Sequence, residues 1–203
     1  MLVSRSALAS ALVKRSKAIG QPESQTISRY PDLVSARLEQ RAAKQLEAAK
    51  FETRVSLDRF RNKKILEIDV IGARVRKRVT EILVIEAKDI DMPLHKPGSL
   101  DDALRTLQRG ADQLKQRTAW VLENWQALLE MLGVKPMARV LITPLLVTRR
   151  YLAPHLVPDC VVVPLPMLKL VLCRLSHDKL EARDGLSALP GTVVCPAVTA
   201  DAT

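Results

Sequence analysis

The stretch Lys64–Lys88, KILEIDVIGARVRKRVTEILVIEAK, decides the fold. It reads as two β-strands, Ile65–Gly72 and Ile82–Lys88, joined by a basic connection, Ala73–Arg78. The second run stays apolar until it ends in Glu86, Ala87 and Lys88. A run of that length, rich in Ile and Val, is a strand covered on both faces. Strand side chains alternate, so Glu86 and Lys88 point to the same side. Charged groups at the end of a buried strand need each other or a metal, because an unpaired buried charge is costly. The first strand puts Asp69 in a comparable position. Paired side by side, the two strands would gather Asp69, Glu86 and Lys88 around one small volume. Two carboxylates hold a hard divalent cation through oxygen. The ammonium can then orient or deprotonate a water, or steady a phosphate oxygen. Glu67, two residues before Asp69, reads as an outer acid of this group or as a salt-bridged or solvent-facing side chain.

Upstream, Asp32 opens a helix that runs to about Lys50, with Leu38, Ala42, Leu46 and Ala49 on one face. Phe51–Leu57 reads as a strand, followed by a turn near Asp58–Lys63. Downstream of Lys88 comes a proline-containing loop with His95 and Lys96, which could border a cleft. Ser99, Asp101 and Asp102 open a helix reaching about Leu132, and Gly133 closes it. Its apolar stripe is Ala103, Leu107, Ala111, Leu114, Thr118, Val121, Trp125 and Leu128. Ala138–Thr148 is the next strand, with Pro144 marking an interruption or an edge. Cys160–Val163 is a short last strand, and Met167–Leu175 a helix that covers the sheet. The class is α/β. The chain divides into a basic arm and linker (1–31), one domain (32–180) and a flexible tail (181–203).

Composition narrows the partners. The 203 residues are 47% apolar but only 3% aromatic, so aliphatic side chains must build the core. A formal charge of +10 suits a polyanion, with nucleic acid the leading candidate. The alternative is a basic surface with no special partner. Few aromatics argue against a base-stacking platform and for backbone contact by Arg and Lys. Arg74, Arg76, Lys77 and Arg78 in the basic connection are candidates for such contact, as is Lys96; otherwise a charge run at a hairpin tip is solvated and discourages edge pairing. Three cysteines, Cys160, Cys173 and Cys195, fit no zinc spacing and read as reduced thiols of a cytoplasmic protein, the first two in the core. No apolar run reaches membrane-spanning length, so no membrane partner is expected.

Asp69 on one apolar strand, then Glu86-Ala87-Lys88 on the next, with a helix before and after, resembles the PD-(D/E)xK nuclease superfamily. The likeness spans roughly residues 32–165. It implies a restriction-endonuclease-like core: a central mixed sheet of four to five strands flanked by helices, in α-β-β-β-α-β order. It also implies a phosphodiester hydrolase acting on DNA, with Mg2+ as cofactor and Mn2+ as a substitute. Asp69 and Glu86 would be the metal ligands and Lys88 the water-activating or charge-offsetting group. Members carry a Glu on the first helix, which makes Glu39 the assisting metal ligand, with Glu47 as alternative. A Gln or Lys on the long helix lines such sites, which singles out Gln113 and Lys115. Where relatives have Gly before the first strand, this chain has Lys50. Cutting both strands would call for a homodimer, and specificity for a separate protein partner. The competing reading is a catalytically silent nucleic-acid-binding or assembly module on the same fold.

Overall fold

The computed structural model describes residues 23–76, 79–90, 98–150, 160–174 and 193–196. Among them, three helices and six strands follow the order α1 (Glu23–Ala48), β1 (Glu52–Phe60), β2 (Lys63–Arg76), β3 (Val79–Lys88), α2 (Ser99–Leu132), β4 (Arg139–Thr148), β5 (Val162–Pro164), α3 (Leu165–Arg174) and β6 (Val193–Pro196). The class is α/β, as expected. The sheet runs β1-β2-β3-β4-β5, and β6 shares the outer edge of β4 with β5. The pairs β1–β2 and β2–β3 are antiparallel, and β3–β4 and β4–β5 are parallel. A parallel neighbour needs a crossover, and α2 supplies it between β3 and β4.

The apolar run of the opening stretch becomes the middle strand. β3 is buried along its length except at its two ends. Its side chains feed two cores in strict alternation. Ile82 and Val84 pack under α2, with Leu107, Leu114, Val121 and Leu128. Leu83, Ile85 and Ala87 pack on the opposite face, under Leu38, Ala42 and Leu46 of α1 and Leu168 and Leu172 of α3. The sheet is therefore the middle layer of three.

Four local expectations change. The helix α1 begins at Glu23, inside the segment read as a linker, and passes through Pro31; one missing N–H costs a helix a bond without obliging it to stop. The basic connection is mostly strand, because β2 continues through Arg76 and pairs Arg76 with Val79. Pro144 neither breaks nor ends β4. Leu146 N–H donates to Val161 O at 2.9 Å, so Pro144, two residues earlier, turns its missing donor to the same side. Among the described residues no strand pairs with that side there, because β6 pairs with Arg139–Ile142 and β5 with Leu146–Thr148. Finally, Val193–Pro196, within the segment read as a tail, is strand β6.

The remaining punctuation follows the sequence. Gly98 (φ 75°) and Gly133 (φ 70°) bracket α2 in left-handed conformations. At the second of these, Gly133 N–H donates to Glu130 O and Val134 N–H to Leu129 O. The cysteines are free, with Cys160 and Cys195 half-buried and Cys173 exposed rather than in the core. Burial pushes the Cys160 thiol up to about 11, partly offset by a backbone hydrogen bond at Leu146. Among the described residues, no helix is long and apolar enough to cross a membrane.

Candidate active site

The β2–β3 ladder starts at the hairpin end and has its last pair at Val70–Ile85, although both strands run on past it. At that point a side chain takes over from the backbone. Asp69 Oδ2 accepts the Ala87 N–H at 2.8 Å. A carboxylate inserted into the ladder holds the strands apart and turns its other oxygen toward the α2 face. Glu86 and Lys88 point to the same face by alternation. The candidate site thus sits where β2 and β3 open, beside the carboxyl end of β4, whose Leu146 and Thr148 pair with Glu86 and Lys88.

Asp69, Glu86 and Lys88 are brought together. Glu86 is wholly buried and Asp69 nearly so. Lys88 Nζ lies 2.6 Å from Glu86 Oε1, and its side chain keeps 25% exposure. The ammonium therefore touches both the buried carboxylate and solvent. A fourth member was absent from the sequence reading. Arg117, on α2, places Nη1 3.2 Å from Asp69 Oδ1 and in contact with Glu86 Oε2. Its side chain is 11% exposed. Among the described residues, two carboxylates and two cations form a formally neutral cluster.

A second omission explains how α2 gets so close. A Cβ on Gly110 would stand 3.0 Å from Leu146 Cδ1 and 3.1 Å from Lys88 Cγ, tighter than ordinary van der Waals contact. The stem of Lys88 lies across the bare backbone of Gly110. Both omissions carried a signal. Positions 103, 107, 110, 114, 117 and 121 recur at helical spacing, and all six are buried. A glycine and an arginine inside an apolar stripe mark a close approach and a buried charge that needs partners.

Glu39 stands at the rim. It is half-buried on α1 and accepts a hydrogen bond from Ser56 Oγ at 2.9 Å. Burial pushes its carboxyl above the ordinary value; Ser56 pulls it back, Asp69 and Glu67 add to the rise, and Arg117 opposes it. Among the described residues, no three acidic, imidazole or thiol side chains converge closely enough to hold a metal between them. Glu39 is thus near the acidic pair without joining it. The alternative, Glu47, is exposed and accepts from Thr53 Oγ1 at 2.9 Å. Because the folded state raises the Glu39 pKa, the charged form is disfavoured there, and this group's contribution weakens as pH rises through its folded value. Glu39→Gln is therefore expected to gain stability relative to wild type as pH rises above the ordinary carboxyl value of about 4.3. Urea midpoints of both proteins across that rise check it; a difference that shrinks with rising pH would contradict it.

The other candidates lie elsewhere. Gln113 and Lys115 are exposed on α2 and outside the cluster; Lys115 instead borders a cavity of about 430 Å³ with Pro144, Cys160 and Val193. Arg74 turns inward at the opposite end of the sheet. Its Nε donates to Glu81 at 2.5 Å, its Nη1 donates to Ala49 O at 2.7 Å, and its guanidinium lies 4.2 Å from the centre of the Phe51 ring. It ties the chain just past α1 to the sheet and also lines the cavity described next. Arg76 is half-buried and lines a cavity of about 410 Å³ with Lys50 and Lys169. Lys77, Arg78, His95 and Lys96 lie outside the described residues, as does the basic arm. Just past the cluster, Arg149 Nε approaches Asp89 Oδ1 at 2.9 Å, linking the ends of β3 and β4.

Against known proteins, no family model, no curated protein and no solved structure matches the chain.

Proposed function

We propose that this protein is a metal-dependent nuclease that hydrolyses phosphodiester bonds in DNA. The observation that carries the reading is the convergence of Asp69, Glu86 and Lys88 where the β2–β3 ladder opens. The order of elements supports it: a helix, three antiparallel strands, and a helical crossover to a parallel fourth strand. That order resembles the restriction-endonuclease-like core expected from the sequence. The charge of +10 suits a polyanionic substrate.

The donor set fits magnesium. Asp69 and Glu86 offer hard carboxylate oxygens in a buried setting, and magnesium needs only one or two carboxylates because it keeps several waters. When bound, the ion would polarise a phosphoryl oxygen and acidify a coordinated water. The protein's own groups do the rest. Asp69, anchored by the Ala87 N–H, holds its other oxygen, paired with Arg117, at a fixed position. Lys88 is held by Glu86 yet open to solvent, so its ammonium can orient the attacking water or meet charge growing on the phosphate. Glu39 at the rim, with a raised pKa, can accept a hydrogen bond from a water or hold a proton.

One observation favours a second reading. Arg117 and Lys88 already balance Asp69 and Glu86, so the cluster is complete as a structural ion network. On that reading the protein is a silent nucleic-acid-binding module. The decisive assay offers labelled DNA and RNA with magnesium, manganese or EDTA to wild type and Lys88→Ala. The nuclease gives metal-dependent cleavage that falls by about 10²-fold or more in the variant, with fold and DNA binding retained. Salt-sensitive binding without cleavage in either protein would select the silent module.

A further inference from the structure

The position of Arg117 carries an inference about how the site is controlled, and it rests on the nuclease reading above. A guanidinium from the middle of α2 sits between the two carboxylates, 3.2 Å from Asp69 and in contact with Glu86. That is the volume in which a bridging cation would have to lie. The charge count is equally restrictive. Asp69, Glu86, Lys88 and Arg117 sum to zero, so a dication added to this buried group would leave a net charge of +2 unless a cation withdrew. Lys88 is the outer cation, partly in water and bonded to one carboxylate. Arg117 is the inner one, bridging both and almost fully buried.

We propose that Arg117 is the resident counter-ion of the apo site, and that a divalent cation binds by displacing it from Asp69 and Glu86. The exchange keeps the buried group close to neutral in both states. It also releases a guanidinium beside the metal, where a phosphodiester would arrive. Arg117 can then accept a phosphate in a forked contact, which a point-charge ammonium reproduces poorly. Metal binding and phosphate binding are thereby coupled through one side chain: metal alone must displace Arg117, and a phosphate that then takes up the guanidinium tightens metal binding. Arg117 is a positioning and gating residue in this scheme; no bond forms or breaks on it.

The test uses the full chain without nucleic acid. Manganese affinity is measured by electron paramagnetic resonance for wild type, Arg117→Gln and Arg117→Lys. Removing the competing charge is expected to tighten manganese binding in Arg117→Gln by ~10-fold or more, with Arg117→Lys close to wild type. A second measurement reads the wild-type site directly and needs only the conservative Arg117→Lys variant for assignment. In the wild type, the Arg117 Nε–H resonance, assigned by its loss in Arg117→Lys, is expected to be protected from solvent exchange. Saturating magnesium should abolish that protection. Equal manganese affinity in wild type and Arg117→Gln, or protection that persists with magnesium bound, overturns the displacement while leaving a metal site in place. Absence of manganese binding in both proteins overturns the displacement and the nuclease reading together.

Discussion

On the proposed nuclease reading, Glu86→Gln is expected to lower metal-dependent cleavage by about 10³-fold, the largest catalytic effect expected of the substitutions considered. The side chain is isosteric, so the packing under α2 is preserved, but three things change at once. One of the two carboxylates that would hold the proposed cation is lost. The carboxylate that fixes Lys88 at 2.6 Å becomes a neutral amide, and the ammonium gains freedom. The buried cluster also shifts from neutral to singly positive, which opposes a dication directly. Three coupled losses should exceed the effect of Lys88→Ala, which removes only the outer cation. Single-turnover cleavage at saturating magnesium, with circular dichroism of the variant, measures this. A Glu86→Gln protein that is folded and cuts at a tenth of the wild-type rate would exclude Glu86 as a metal ligand.

Arg117→Ala carries the largest expected effect on stability. Glu86 is fully buried and Asp69 nearly so, and without Arg117 Lys88 alone among the described residues remains to balance them. Removing one partner from a buried ionic group typically costs about 3–5 kcal/mol, because it leaves charge uncompensated in a poor solvent. That is a large share of the roughly 5–15 kcal/mol that separates folded from unfolded domains. The exposed pair Arg61–Glu130 is the internal control. Its side chains are 67% and 80% exposed, at 3.4 Å. Water screens such a pair, so Arg61→Ala should cost under about 1 kcal/mol. Urea denaturation of the two variants in EDTA compares them. A loss in Arg117→Ala no greater than in Arg61→Ala would mean that the guanidinium does not neutralise the acidic pair.

Much of the architecture was legible because it depends on local pattern. The unbroken Ile/Val run of β3 can only be a strand covered on both faces, and it is the middle strand of the sheet. The helical spacing from Ser99 to about Leu132, closed by Gly133, marks out α2, which spans Ser99–Leu132. Alternation alone predicts that Glu86 and Lys88 share a face. Other features were illegible for identifiable reasons. The stripe of α2 runs through Ala111, which packs against the core, and buried Thr118, as expected, but that pattern leaves out Gly110 and Arg117 on the adjacent line. Hydrophobicity ranks a glycine and an arginine low, so a pattern built on apolar content steps around them. The role of Arg74 was hidden for the opposite reason. Its basic neighbours suggested a solvated tip, whereas Glu81 directly across the ladder draws it inward.

The sequence by itself determined the class, the middle strand, the crossover helix, and the three charged residues that its strand ends bring to one place. Those follow from periods of 2 and 3.6 residues and from the cost of stranding a charge, and both act within a few residues of chain. Only the tertiary structure decided what stands opposite those charges. Arg117 lies 48 residues beyond Asp69, and no local pattern relates them. Their meeting depends on how closely α2 settles on β3, which the missing side chain of Gly110 sets, and on the opening of the β2–β3 ladder at Asp69. Buried charge is balanced in three dimensions, so the partner of a buried carboxylate is chosen by packing and not by position along the chain.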